Sequence, residues 1–266
     1  MFKSSKSRGL LTAVAASALM VLPAQARDIV KLQFSNGRSE VVGVENVNAV
    51  LRGAGVRAST VAIPEGAKPI LRASETRAVS EAEQKKLITL FYLNRTQLLE
   101  QIELAGRTPE AHRGGYLSSA EPGVSPYPKV YDMKAMTAQQ QSDVLRRFGR
   151  LHVNIADDGV AMDEVMTVVA GGPFTWMFVL PDGVVTRLTV DRVGPNDPAL
   201  RLSYPGLGMH AGYMDPPDGL VIAFGHGPKE FIMRYQDDSV PHADLLNTNP
   251  WVDFSGSRPR LVERVR

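Results

Sequence analysis

Near the start of the chain apolar and polar residues alternate. Val30, Leu32 and Phe34 fall on one side of a strand, with Lys31 and Gln33 on the other. Asn36-Gly37 follows, a pair that tolerates the positive φ of a tight turn. Val41, Val42 and Val44 then supply a second strand, so the pattern predicts a hairpin. Val47, Val50, Leu51 and Ala54 fit a short helix that Gly55 ends, and residues 56–63 predict a third strand stopped by Pro64. The opening reads as a β-β-α-β unit.

Three helices are bounded by their own capping chemistry. Ser80 with Glu83, Asn94 with Gln97 and Thr137 with Gln140 each place a capping side chain three residues before an acid or amide that can reach back. The apolar positions that follow are Leu87, Ile88 and Phe91; Leu98, Ile102 and Ala105; and Val144, Leu145 and Phe148. Gly106 and Gly149 end the last two helices. These stripes read as core. Between the second and third helices, residues 107–136 are rich in Gly, Pro and Ser, and Tyr116, Tyr127 and Tyr131 make them an ordered surface excursion rather than a disordered one.

Beyond Gly149 the period shortens to two. Asp158-Gly159, Asp182-Gly183 and Asp218-Gly219 are turn pairs followed by apolar residues. The middle one is the clearest: Trp176, Phe178 and Leu180 alternate before it, and Val184, Thr186, Leu188 and Val190 after it. Residues 220–224 and 231–235 predict two more strands, whereas residues 162–170 fit helix and strand equally. The segment after Pro241 reads as an irregular tail pinned by Trp251 and Phe254. The fold class expected is α+β, with a mainly antiparallel β sheet or barrel as its larger part. The boundaries are an N-terminal α+β region over 27–106, the long loop over 107–136, a helix plus β region over 137–240 and the tail over 241–266.

Residues 1–26 read differently. Lys3, Lys6 and Arg8 precede an apolar run from Leu10 to Leu22, which ends at Ala24-Gln25-Ala26. That run is too short for a bilayer, which takes about 20 residues, and the pattern is that of a cleavable secretory signal. Its removal changes the charge: the 240 residues that remain carry 27 basic and 28 acidic side chains. The basicity of the whole chain belongs to the leader, so no nucleic-acid partner is expected, and no integral membrane segment follows the signal. The protein is expected to be periplasmic or secreted. Without cysteine, thiol catalysis, thiolate metal ligation and disulfides are excluded.

No motif names a reaction. The best candidates are histidines: of His112, His152, His210, His226 and His242, the last three recur at 16-residue intervals. His210 and His226 have glycine neighbours, which leave an imidazole accessible at a turn or strand end. Adjacent strands of a barrel could join them, with His152 and with Glu230 or Asp215 as an oxygen ligand, into a site for zinc, iron or manganese. No H-x-H, H-E-x-x-H or H-x-x-x-H spacing exists, so an equal alternative is a metal-free acid–base site on His210 or His226 with Tyr213. Tyr204, Met209, Met214 and Phe224 would give it apolar walls.

Residues 206–212 are not a dinucleotide loop, since the spacing is G-x-G-x-x-x-G and no helix follows. Arg107, His112, Arg113 and Gly114-Gly115 follow a helix C-terminus, which repels anions, and read as a solvated basic loop. Ser118 and Ser119 lack a nucleophile elbow. The reading is an exported protein with a small-molecule site in its C-terminal β region, an acid–base or metal-assisted lyase, isomerase or hydrolase. The alternative is a non-catalytic binding module whose long loop and tail contact a protein partner.

Overall fold

The computed structural model describes residues 29–108, 127–228 and 232–263, and the backbone of 116–117. The expected signal over residues 1–26, and His112, Arg113, Ser118, Ser119 and Glu230, lie outside these residues. The strands that matter for the site are β1 (Val30–Phe34), β2 (Val41–Val42), β3 (Arg57–Val61), β4 (Tyr116–Leu117), β5 (Lys129–Asp132), β6 (Val153–Asn154) and β7 (Asp163–Gly171). They continue with β8 (Phe174–Val179), β9 (Val185–Val190), β10 (Ala199–Tyr204), β11 (His210–Tyr213), β12 (Gly219–Gly227) and β13 (Met233–Arg234). Among the described residues five α-helices accompany them: α1 (Val44–Leu51), α2 (Lys68–Ser74), α3 (Glu81–Leu90), α4 (Arg95–Leu104) and α5 (Ala138–Phe148).

Two antiparallel sheets carry the fold. One has the order β11-β8-β9-β1-β2; the other runs β3-β10-β7-β12, with β4 and β5 also paired to β12. Among the described residues neither sheet closes on itself, so the barrel alternative gives way to a two-sheet sandwich. The inner faces meet in one core, where Leu32, Trp176, Phe178 and Leu188 pack with Met166, Val168, Leu202 and Val221. Outside the second sheet, Val165, Val169, Ile222 and Phe224 pack under Leu71, Leu87, Ile88 and Leu98 of α2–α4. Outside the first, Met177, Val185 and Ala211 pack under Leu145 of α5 and Trp251 of the tail. Three apolar layers of this kind are what side chains on alternate faces of two sheets require.

The capping boxes form as their residues predict: Ser80 and Glu83, Asn94 and Gln97, and Thr137 and Gln140 each exchange side-chain and backbone hydrogen bonds. The β8–β9 hairpin forms as well, with Gly183 at φ 81° and a Leu180 N–H to Val184 O bond of 2.9 Å. Residues 162–170 resolve to strand β7. It is buried on both faces, so its sequence shows no alternation to read. Helix α2, unmarked in the sequence, carries Pro69 in its first turn.

The opening elements occur in the order β-β-α-β, yet they do not make one unit. β1 pairs with β9 in the first sheet and β3 with β10 in the second. Gly37 has φ 78° and bonds to Phe34 O, but β2 is two residues long and the connection is wider than a two-residue hairpin. The tail, expected to be irregular, holds a 3-10 turn at Ala243–Leu245 and a short antiparallel pair, Val252–Asp253 with Arg260–Leu261. Trp251 beside the pair is buried and donates from Nε1 to Val185 O at 3.2 Å. The Arg150 guanidinium lies 4.4 Å from the Phe254 ring centroid. Among the described residues no helix is long and apolar enough to cross a membrane.

Candidate functional site

Glu164 sits on β7, where successive side chains point to opposite faces. It shares the inward face with Met166 and Val168, so a carboxylate enters the core between the sheets. Burial of that kind is tolerated only when the charge is fully hydrogen-bonded. Here it is. The Tyr127 hydroxyl donates to Oε1, Asn154 Nδ2 donates to Oε2 at 2.8 Å, and His210 Nε2 lies 3.1 Å from Oε2. Tyr204, directly opposite on β10, also turns its hydroxyl to this carboxylate. Gly225 faces Glu164 from β12; a Cβ there would stand 2.8 Å from Met162 Sδ and collide with the Tyr127 ring. The absence of a side chain at 225 is what lets Tyr127 reach the carboxylate.

His210 is held by its backbone and by its other nitrogen. Its backbone exchanges N–H···O bonds of 2.9 and 3.0 Å with His152, and its Nδ1 lies 2.7 Å from Gly208 O. A carbonyl only accepts, so Nδ1 carries the hydrogen and Nε2 is the nitrogen that exchanges a proton. Neutral, Nε2 accepts from Asn154 Nδ2 at 3.1 Å; protonated, it donates to Glu164. Nε2 thus has a hydrogen-bond partner for either role, acceptor or donor. Asn154 Oδ1 is left buried without a hydrogen-bond partner among the described residues.

His152 completes the cluster. Its ring centroid lies 4.6 Å from that of His210, and its Nδ1 donates to Arg150 O at 2.7 Å. Burial, and then the neighbouring His210, push its pKa well below the ordinary histidine value. Burial, and then the charge of Glu164, raise the pKa values of Tyr127 and Tyr204, so both phenols stay protonated and act as donors. The His210 and Glu164 side chains are 3% and 5% exposed, so the pair is sealed from solvent.

The other candidates lie elsewhere. His226 pairs with Asp163, one residue from Glu164, and so faces the helices on the opposite side of the sheet from His210. The expected convergence of His210 and His226 does not occur, because one residue of register separates two faces. On β11, Tyr213 points away from His210 into the layer under α5, and its hydroxyl donates to Pro259 O at 2.9 Å. Burial, and then Asp215, push its pKa up to about 12. Asp215 pairs with Arg258. Glu164 and Asn154, which sequence reasoning passed over, meet His210, and Tyr127 meets Glu164.

A cleft of about 600 Å³ opens beside the pair. Gly208 and Met209 line it, so residues 205–209 present one side to the cleft while the Gly208 carbonyl holds His210. Gly206, within that loop, donates to Asp163 Oδ1 at 2.9 Å and accepts from the Asn154 N–H at 2.8 Å. Arg52, Arg107, Pro181, Leu207 and His242 also line the cleft.

No family model and no curated protein matches the chain. Its fold is similar to that of an acireductone dioxygenase from Bacillus anthracis, solved with a cadmium ion in its active centre. The two are 12% identical with a TM-score of 0.50, over 76% of this chain and 94% of that one. At that identity the likeness is one of fold.

The described donors around His210 are engaged with one another rather than open to a metal. Among the described residues no group of three or more His, Asp or Glu side chains could hold an ion. His210 Nε2 faces an amide donor, and both Glu164 oxygens already accept hydrogen bonds. Of the four expected ligands, His152 and His210 adjoin, His226 faces away and Glu230 lies outside the described residues.

Proposed function

We propose that this chain is an exported enzyme that moves a proton on a small molecule taken up in the cleft, with His210 as acid and base. The observation that carries the reading is the buried His210–Glu164 pair, 3.1 Å apart, with Nδ1 pinned by Gly208 O. An imidazole so held has a fixed tautomer; a substrate that displaces Asn154 Nδ2 from Nε2 would exchange its proton there, and Glu164 beside the same nitrogen would stabilise the imidazolium. Residues 205–209 stand between cleft and pair, and their movement would join the two. The structural neighbour bears a metal in its active centre, but the donor set of this chain points to metal-free chemistry, in the lyase, isomerase or hydrolase classes. The leader carries the export reading.

The seal over the pair favours a second reading, a non-catalytic binding protein whose polar network locks the sandwich. Proton exchange separates the two. The protein is incubated in D2O with a panel of small 2-oxo acids, 2-hydroxy acids and aldoses, and carbon-bound deuterium is followed by NMR. Exchange that is lost in His210→Gln and Glu164→Gln supports the enzyme. Folded variants that exchange as the parent does, or a parent inert across the panel, would leave the binding protein.

A further inference from the structure

The cleft wall formed by α1 and α4 has an unusual construction. Gly55 and Gly106, at φ 69° and 81°, end the turns that follow these helices. A Cβ on Gly106 would lie 3.1 Å from Arg52 Cζ, and one on Gly55 would lie 2.9 Å from Arg107 Cδ. Each arginine therefore lies across the glycine of the other turn. Arg107 continues inward: its side chain is 7% exposed, with Nη1 3.3 Å from Asp163 Oδ1 and Nη2 donating to Ser203 Oγ at 2.9 Å. Its charge is answered within the protein.

The Arg52 charge is not. Its guanidinium rests on Gly106 at the cleft, and among the described residues it has no carboxylate partner. Among the described residues no acidic side chain lines the cleft. Two helix C-termini meet here, which would by themselves disfavour an anion. Their terminal carbonyls, however, are consumed by their own turns: Leu51 O by Val56 N, Arg52 O by Gly55 N, Ile102 O by Arg107 N and Glu103 O by Gly106 N, at 2.8–3.2 Å. The facing wall is apolar, with Pro181, Pro205 and Met209, and Leu207 stands half exposed over it.

We propose that this cleft binds a small organic carboxylate, with the anion on the Arg52 guanidinium and the apolar body against Pro181, Leu207 and Met209. A guanidinium presents two parallel donors to a carboxylate, and the nearby apolar wall rewards a hydrocarbon body. The inference rests on the reading that the cleft takes up the substrate, and it names that substrate's class.

Benzoate is the probe, titrated at low salt into the full mature protein and followed by NMR shift changes, with benzyl alcohol as its uncharged counterpart. The expected result is saturable benzoate binding at Leu207 and Gly208. Binding weakens at least tenfold in Arg52→Gln and at least tenfold when benzyl alcohol replaces benzoate. Leu207→Ser, at an exposed position that the fold does not need, weakens both probes. Equal binding of the two probes, or an Arg52→Gln protein that binds benzoate as the parent does, overturns the proposal. His210→Gln keeps benzoate binding if the cleft stands by itself. Benzoate binding alongside an absence of D2O exchange would therefore sink the acid–base reading and leave the carboxylate site intact.

Discussion

His152 shows at the scale of one residue how burial turns into pH dependence. In the folded chain its pKa is depressed well below the unfolded value near 6.5, by burial first and by His210 second. As pH falls, the unfolded chain takes up this proton before the folded one does. The stability His152 contributes is therefore complete above pH 6.5 and declines below it. The loss runs at up to about 1.4 kcal/mol per pH unit until the folded imidazole is itself protonated. Urea denaturation between pH 7.5 and 5.5 should show that loss, and His152→Gln should flatten the profile over the window. An unchanged slope in the variant would assign the pH dependence to other groups. Glu164, the residue most central to the site, illustrates what a sequence leaves unsaid. It lies in Asp163-Glu164-Val165-Met166, and a carboxylate that opens a strand in the sequence looks like a solvated end. The one available signal was its place in a run of apolar residues, where a charge demands partners. Those partners, Asn154, Tyr127, Tyr204 and His210, come from four other segments of chain.

Elements were legible where local chemistry decides them. Capping side chains three residues apart and a Pro-Asp-Gly turn act within a few residues, and the helices and the β8–β9 hairpin follow them. Pairing between distant strands has no such local mark, so the split of β1 and β3 between two sheets, and the facing of His210 and His226 to opposite sides, could not be read. The loop between β10 and β11 tests how far an element depends on one backbone position. A Cβ on Gly206 would come within 2.7 Å of Asn154 O and closer still to Met162 O, both backbone atoms. Backbone cannot yield as a side-chain tip does. Gly206→Ala should therefore cost about 3 kcal/mol or more in urea denaturation. Thr137→Ala, which removes one helix cap, should cost about 1 kcal/mol. Gly206 serves the close approach of β6, β7 and this loop. A Gly206→Ala protein as stable as Thr137→Ala would show that the loop gives way, and that its contacts do not fix His210.

At the scale of the whole molecule, the described fold accounts for its stability without cross-links. Three apolar layers built from two sheets and five helices bury a large core, so a cysteine-free chain can persist in an oxidising compartment. That is the setting expected if the first 26 residues act as a secretory signal. The whole chain is basic; without those residues the 27 basic and 28 acidic side chains nearly cancel. If export removes the leader, intact mass measurement on protein from the periplasmic fraction should find a chain that begins at Arg27. Replacing Ala24 and Ala26 by bulky residues should leave an uncut precursor at the membrane. Full-length protein, folded and active in the cytosol, would place the His210–Glu164 pair in another compartment and remove periplasmic metabolites from the substrates worth trying.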